Sequence, residues 1–138
     1  MTDILRLARI QLAAIILFAS LKFIRPSVLE SNAPEWIKVS LLSLPNFFEA
    51  VIGILLLTGI GLYLNGSVFS PGRQIKPMII YTLALVLAAV YVLTQEFKIH
   101  NLGGNNVFDI NDVIFSIAGL LVGFLIVLII KPAANPAK

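Results

Sequence analysis

The chain has 138 residues, of which 59% are hydrophobic and only 12% are charged, and its mean hydropathy is +0.98. Soluble domains carry roughly 45–50% apolar and about 25% charged residues, and so few charges cannot cover the large surface of a small chain. The composition therefore excludes a soluble enzyme, a nucleic-acid-binding domain and a disordered chain. The net charge of +3 comes without a compact basic cluster, so nucleic acid is not an expected partner. The absence of cysteine excludes disulfides and thiolate chemistry.

Four apolar segments approach the roughly 20 residues that a helix needs to cross about 30 Å of hydrocarbon. They cover residues 4–24, 47–64, 77–95 and 113–130. We predict an all-α fold, an integral membrane four-helix bundle that forms a single transmembrane domain over residues 1–138. Arg6 and Arg9 before the first apolar run are also typical of a signal peptide, but Phe18-Ala19-Ser20 is a poor cleavage site, which favours an uncleaved span.

The charged residues are distributed between the loops in a way that predicts orientation. With both termini in the cytoplasm, six of the ten basic residues lie inside together with one acidic residue, Asp3. The remaining four basic and six acidic residues lie outside, so the inner face carries +5 and the outer face −2. The basic bias agrees with the positive-inside rule. We therefore expect a multi-pass protein whose N- and C-termini are both inside.

The first outer loop predicts a short interfacial helix between the first and second spans. Asn32 or Ala33 is expected to start it, with Pro34 at its first position. Trp36 would lie at the depth of the lipid headgroups. This helix either connects the two spans or acts as a lid over a substrate.

Glu49 lies at the predicted start of the second span and has two interpretations. Asn46 as the N-cap and Glu49 three residues later resemble a capping box, which gives the carboxylate a structural role. Alternatively, Glu49 is a functional carboxylate, because ionisable residues close to the bilayer often serve a function.

The second outer loop and its flanking residues contain most of the side chains that could bind a ligand or transfer a proton. Glu96 and His100 are four residues apart, Asp109 and Asp112 are three apart, and a glycine- and asparagine-rich turn between the pairs allows them to meet. We predict a polar site in which Glu96, Asp109 and Asp112 are the catalytic candidates, and to which Glu49 and His100 add ligand-binding side chains. One histidine among scattered carboxylates is a weak metal signal, so neither a metal nor a cofactor is expected. In the alternative, Asp109 or Asp112 caps the fourth helix, while Glu96 and His100 lie in water.

Small residues predict where the helices pack. Gly119 and Gly123 are four residues apart in the fourth span, and Ser116 extends the same stripe. Gly53 offers a similar position in the second span. Small residues at this spacing allow helices to approach closely in lipid, so these four positions are expected to mediate helix packing. A homodimer through the same stripe is an alternative.

The last third of the chain resembles the VanZ-like family. Glu96 matches a glutamate near the end of the family's third span, Asp109 and Asp112 match its aspartate pair, and Gly119 and Gly123 match its two glycines. Serine stands at position 116, where the family usually has asparagine. The Leu-Pro-Asn-Phe stretch of the first loop is similar to versions from Bacteroidetes-type bacteria. The resemblance implies a four-span protein of the bacterial inner (plasma) membrane that acts on the cell envelope.

The function expected from these observations is the binding or modification of an envelope glycan or lipid headgroup at the outer face. Membrane lipid is the expected partner. The alternative is a non-catalytic accessory subunit of a larger membrane protein complex. A channel or transporter is disfavoured, because the deepest parts of all four spans lack charges and transporter sites usually lie near the midplane.

Overall fold

The computed structural model describes residues 2–70, 72–97 and 108–133, and these residues form four α-helices. The helices are α1 (Thr2–Leu29), α2 (Glu35–Val68), α3 (Pro77–Glu96) and α4 (Ile110–Ile130). All four are long and apolar enough to cross a membrane. The predicted all-α four-helix bundle is therefore confirmed, and the chain is a multi-pass membrane protein.

The second helix differs most from the sequence prediction. Residues expected to form a separate interfacial helix are continuous with the second span in one helix of 34 residues, Glu35–Val68. At 1.5 Å per residue this helix is about 51 Å long, well beyond the hydrocarbon thickness. The prediction of a separate short helix is therefore wrong, although its start is within a residue of the expected position, since Pro34 is the N-cap.

The predicted capping box at Asn46 and Glu49 is also wrong, because both residues lie inside α2. Pro45 lies inside this helix as well, where the missing backbone N–H usually favours a break. Ser43, Pro45 and Ala50 are all buried, so the turns around the proline pack against other helices. That packing outweighs a local cost of about 3 kcal/mol for a proline within a helix.

The long helix α2 is the centre of the bundle and packs against each of the other three helices. Helices α1 and α3 run antiparallel to α2, as shown by contacts of Gly59 with Leu7 and of Gly53 with Ala88. Helix α4 runs parallel to α2 and makes the most extensive interface with it. Among the described residues, the backbones of α1 and α3 do not approach each other. The buried core includes Leu7, Ala50, Ile54, Leu55, Leu62 and Val127.

The α2–α4 interface depends on two glycines. A Cβ atom on Gly119 would collide with the Phe47 carbonyl oxygen and would lie 2.9 Å from the Ala50 Cβ atom. A Cβ atom on Gly123 would lie 3.2 Å from the Cα atom of Val51. Ser116 lies in the same interface and is fully buried. Gly53 faces α3 instead, where a Cβ atom would make an ordinary contact at 3.8 Å.

Alternation of helix direction gives the bundle two chemically distinct ends. The acidic end contains the C-terminal ends of α1 and α3 and the beginnings of α2 and α4, with the acids Glu30, Glu35, Glu49, Glu96, Asp109 and Asp112 and the bases Lys22, Arg25 and Lys38. The opposite, basic end carries Arg6, Arg9, Arg73, Lys76 and Lys131, with Asp3.

Two polar contacts fix the helices at the basic end. The Asn65 side chain, which is 3% exposed, donates to the Ile75 carbonyl at 2.9 Å and accepts from the Ile75 N–H at 2.8 Å. The buried Tyr81 hydroxyl donates to the Pro132 carbonyl oxygen, just after Lys131 ends α4 in a left-handed conformation (φ 48°). These bonds attach the α2–α3 loop and the end of α4 to the bundle.

Two glycine-to-alanine variants test whether the α2–α4 distance limits stability. Gly119→Ala should destabilise the protein by about 1–3 kcal/mol, because the Phe47 carbonyl is backbone and cannot move aside. Gly53→Ala has room for its methyl group and should be neutral or stabilising by up to about 1 kcal/mol. Thermal unfolding in detergent measures both, and equal melting of the two variants would remove the close approach as the limiting feature.

Asn65→Ala tests the loop attachment. The substitution leaves the Ile75 N–H and C=O groups without their partner, and we expect a loss of about 1–3 kcal/mol in the free energy of unfolding. Asn32→Ala is the matched control, because Asn32 is exposed in the α1–α2 connection. If both variants unfold at the wild-type temperature, the Asn65 bonds do not stabilise the fold.

Candidate functional site

Four carboxylates from three helices converge at the acidic end. Glu49 comes from α2, Glu96 from the end of α3, and Asp109 and Asp112 from the beginning of α4. All four are half-buried. The charges of Asp112, Glu49 and Asp109 all act on the Glu96 carboxyl group. We call these four residues the acidic cluster, and Glu96 is its centre.

The register between helices explains this convergence. Helix α4 runs parallel to α2 with Gly119 opposite Phe47, so Asp112, two turns earlier, lies near the level of residue 40. Helix α3 runs antiparallel with Ala88 opposite Gly53, so Glu96, two turns later, reaches the level of residue 45. Glu96 therefore lies at a height between Asp112 and Glu49. The register set by the packing glycines thus determines which acids meet.

Lys22 on α1 brings a positive charge to the same region. Its place at this end agrees with the predicted outer face, but its effect on Glu49 was not predicted. Its charge acts on Glu49, and its Nζ atom lies 4.7 Å from the centroid of the Phe18 ring. A lysine one turn before the end of a predicted span is usually interpreted as an interfacial anchor, so its sequence position alone does not associate it with Glu49.

Asp109 has a structural role in addition to its place in the cluster. It is the N-cap of α4, and its Oδ1 atom accepts hydrogen bonds from the backbone N–H and the side-chain amide of Asn111, both at 2.9 Å. The expectation that an aspartate caps the fourth helix is confirmed for Asp109. Asp112 lies in the first turn, where the helix dipole favours a negative charge.

An aromatic pair joins the two helices that supply Glu96 and Asp109. The rings of Phe97 and Phe108 are stacked, with centroids 5.9 Å apart and planes at 21°. Each phenylalanine directly adjoins an acid of the cluster in the sequence, so the stacking keeps the end of α3 close to the start of α4. The candidate His100 lies between the two rings in the chain, outside the described residues.

Buried hydroxyls continue the polar character from the cluster into the bundle. Ser43 and Ser116 are fully buried, and their hydroxyl groups have no hydrogen-bond partner among the described residues. Ser116 is one turn after Asp112, on the same face of α4. The register places Ser43 of α2 at about the same level. The spacing of small residues predicted a packing role for Ser116, and nothing in the pattern singled out Ser43.

The geometry limits what the acidic cluster can bind. Within residues 2–70, 72–97 and 108–133, no three histidine, cysteine or acidic side chains are placed to hold a metal ion. Carboxylates accept hydrogen bonds and attract cations. Hydrogen-bond donors and positive groups are therefore the chemistry that the acidic cluster can attract.

Comparisons with known proteins found no matching family model, no similar curated protein and no similar solved structure.

Two substitutions separate the capping role of Asp109 from its charge. Asp109→Ala removes the acceptor of the Asn111 N–H and should lower the free energy of unfolding by about 1 kcal/mol. Asp109→Asn keeps an acceptor at the N-cap and should unfold close to the wild type, because asparagine caps helices about as well as aspartate. Denaturation in detergent measures both, and an unaffected alanine variant would contradict the capping role.

Proposed function

We propose that this protein is a VanZ-like protein of the bacterial inner membrane that binds a glycan or lipid headgroup of the cell envelope at the acidic cluster. The observation that carries the proposal is the convergence of Glu49, Glu96, Asp109 and Asp112 from three helices. The charges of Glu49, Asp109 and Asp112 each repel that of Glu96, which is costly for a purely structural arrangement. A ligand that donates hydrogen bonds or carries a positive group offsets that repulsion.

The position of the cluster supports a headgroup-sized ligand. Glu96 is the last residue of α3, while α2 starts ten residues before Pro45, at Glu35, and therefore extends past the end of α3. The cluster thus lies where the bundle passes from hydrocarbon to the headgroup layer. Lipid headgroups and membrane-linked glycans present hydroxyl and amine groups at this depth, and carboxylates accept hydrogen bonds from both.

The proposed orientation places the acidic cluster outside the cell. Arg6, Arg9, Arg73, Lys76 and Lys131 share the basic end, and the positive-inside rule assigns that end to the cytoplasm. The start of α1 and the end of α4 then lie inside, while the cluster faces the envelope. Envelope glycans and outer-leaflet headgroups are the ligands available on that side.

The same carboxylates are the candidates for catalysis. Neighbouring acids exchange roles as proton donor and acceptor when one of them stays protonated, as general acid–base catalysis requires. Glu96 with Asp112 is the pair that the proposal assigns to such chemistry, since the two residues lie on the neighbouring helices α3 and α4 and the cap of α4 is formed by Asp109 instead. Asp109 is committed to the α4 cap through one of its oxygens.

A second candidate function, an accessory subunit, is favoured by the exposure of α1. In the most apolar 18-residue stretch of α1, only 11% is buried inside the bundle, whereas 28–33% is buried in the corresponding stretches of the other three helices. A helix with so little internal contact offers a large surface to another membrane protein.

Neutral variants of the cluster test the proposed function. We expect the full-length protein, purified from bacterial membranes in mild detergent, to retain a headgroup- or glycan-bearing molecule that mass spectrometry detects. Glu96→Gln and Asp112→Asn should each lower its retention by about tenfold to a hundredfold, because each loses a charged hydrogen bond.

Glu30→Gln and Glu35→Gln are the matched controls, since both acids are exposed at the same end but do not act on Glu96. Loss of retention in the cluster variants alone supports the proposal. Equal retention in all five proteins contradicts it. A stoichiometric polypeptide instead of a small molecule, unaffected by the cluster variants, favours the accessory subunit.

A further inference from the structure

An apolar groove runs between α2 and α3 in the half of the bundle nearest the basic end. It encloses about 300 Å³ and is lined mainly by Leu57, Ile60, Leu64, Ile75, Leu83 and Leu87. Leu64, Leu83 and Leu87 are each about half exposed, so the groove opens on the outer, lipid-facing surface of the bundle. It is separate from the acidic cluster, which lies at the opposite end.

A glycine at the floor of the groove sets its shape. A Cβ atom on Gly61 would lie only 2.6 Å from the Cγ2 atom of Ile80. The backbone of α2 thus approaches α3 closely at this level, while the leucines on either side form the walls. The result is a narrow channel along the helix axes rather than a flat surface.

The length of the groove is close to the hydrocarbon thickness of one membrane leaflet. Residues 57–68 of α2 cover about 17 Å at 1.5 Å per residue, and half of a hydrocarbon core of about 30 Å is about 15 Å. A single extended acyl chain has this length and apolar character. The groove therefore matches a lipid tail that enters from the basic end.

The mouth of the groove is positively charged. Ile75 and Phe69 line it, Lys76 follows Ile75 directly, and Arg73 is two residues before Ile75. Both basic side chains are exposed, and among the described residues Asp3 is the one acid at this end, where it lies beside Arg6 and Arg9 of α1. The positive charge at this mouth is complementary to a lipid headgroup with net negative charge.

The buried Asn65 side chain positions this basic loop. Its two hydrogen bonds to Ile75 fix the residue next to Lys76, and Asn65 itself lines the groove. The Arg73 N–H donates to the Ser70 carbonyl at 2.8 Å, which closes the loop into a turn. The apolar walls and the two cations thus belong to one rigidly attached unit.

We propose that this groove binds an anionic phospholipid, with one acyl chain between α2 and α3 and the phosphate group held by Lys76 and Arg73. Basic pockets between membrane helices recognise anionic headgroups in this way, and the lining gives such a lipid a defined position. The proposal requires neither the function of the acidic cluster nor a particular orientation, because the groove and its cations lie in the same leaflet in both orientations.

Lipid titration monitored by native mass spectrometry tests this inference on the full-length, delipidated protein. The probes are phosphatidylglycerol and phosphatidylcholine with identical acyl chains. Wild type should retain phosphatidylglycerol more tightly. Lys76→Gln and Arg73→Gln should each weaken that binding by about fivefold, from the attraction expected per basic residue near an anionic lipid, and should weaken phosphatidylcholine less, because its choline cation already balances its phosphate. Arg6→Gln and Arg9→Gln, exposed at the same end on α1, are the charge-matched controls.

A second pair of variants tests the acyl-chain part of the groove. Leu83→Trp should fill the channel and weaken both lipids, whereas Leu121→Trp, at a similarly exposed position on α4, should leave them unchanged. The inference is overturned by equal binding of the two lipids to wild type, or by an equal effect of the Arg6 and Arg9 controls. A dimer that Leu83→Trp dissociates without changing lipid binding would assign the groove to a second copy and also overturn it.

Discussion

The close approach of α4 to α2 is the constraint on which the rest of the molecule depends. In lipid there is little hydrophobic force between helices, so association relies on tight packing between small residues. Gly119 places the α4 backbone directly against the Phe47 carbonyl, and Gly123 repeats this contact one turn later. These contacts fix the axial register of two parallel helices. The register in turn sets the height of Asp112 relative to Glu49, and α3 then brings Glu96 between them.

The alternating directions of the four helices separate the charges of the chain into two ends with different chemistry. At the acidic end, half-buried carboxylates face one another and repel. At the basic end, exposed cations lie beside an apolar groove, and the polar side chains of Asn65 and Tyr81 are used to attach the loop and the end of α4. The small net charge of the chain is therefore the sum of two surfaces of opposite charge. An anionic lipid suited to the basic end has the wrong charge for the acidic cluster.

Length, hydropathy and small-residue spacing were sufficient to predict the four helices, because a lipid solvent leaves few alternatives to a helix of about 20 apolar residues. The end of α3 and the aspartate cap of α4 were predicted from equally local features of the sequence. Pro45 and Asn46 predicted a helix start that does not exist. The helix α2 continues across the proline because the residues around it are buried against other helices. The stacking of Phe97 on Phe108, and the effect of the Lys22 charge on Glu49, depend on how the helices pack, which a single sequence does not encode locally.

The predicted capping box does not form, and this changes the interpretation of Glu49. At a helix start, a carboxylate gains from unsatisfied N–H groups and from the helix dipole, and needs no other explanation. Glu49 instead lies fourteen residues into α2, where the backbone donors are used by the helix and the dipole offers little. It is half-buried and adds a repulsive charge beside Glu96. The charge of Lys22 on α1 offsets part of that cost, and no helix cap accounts for the rest, so Glu49 belongs with the carboxylates of the proposed ligand site rather than with the supports of the helix.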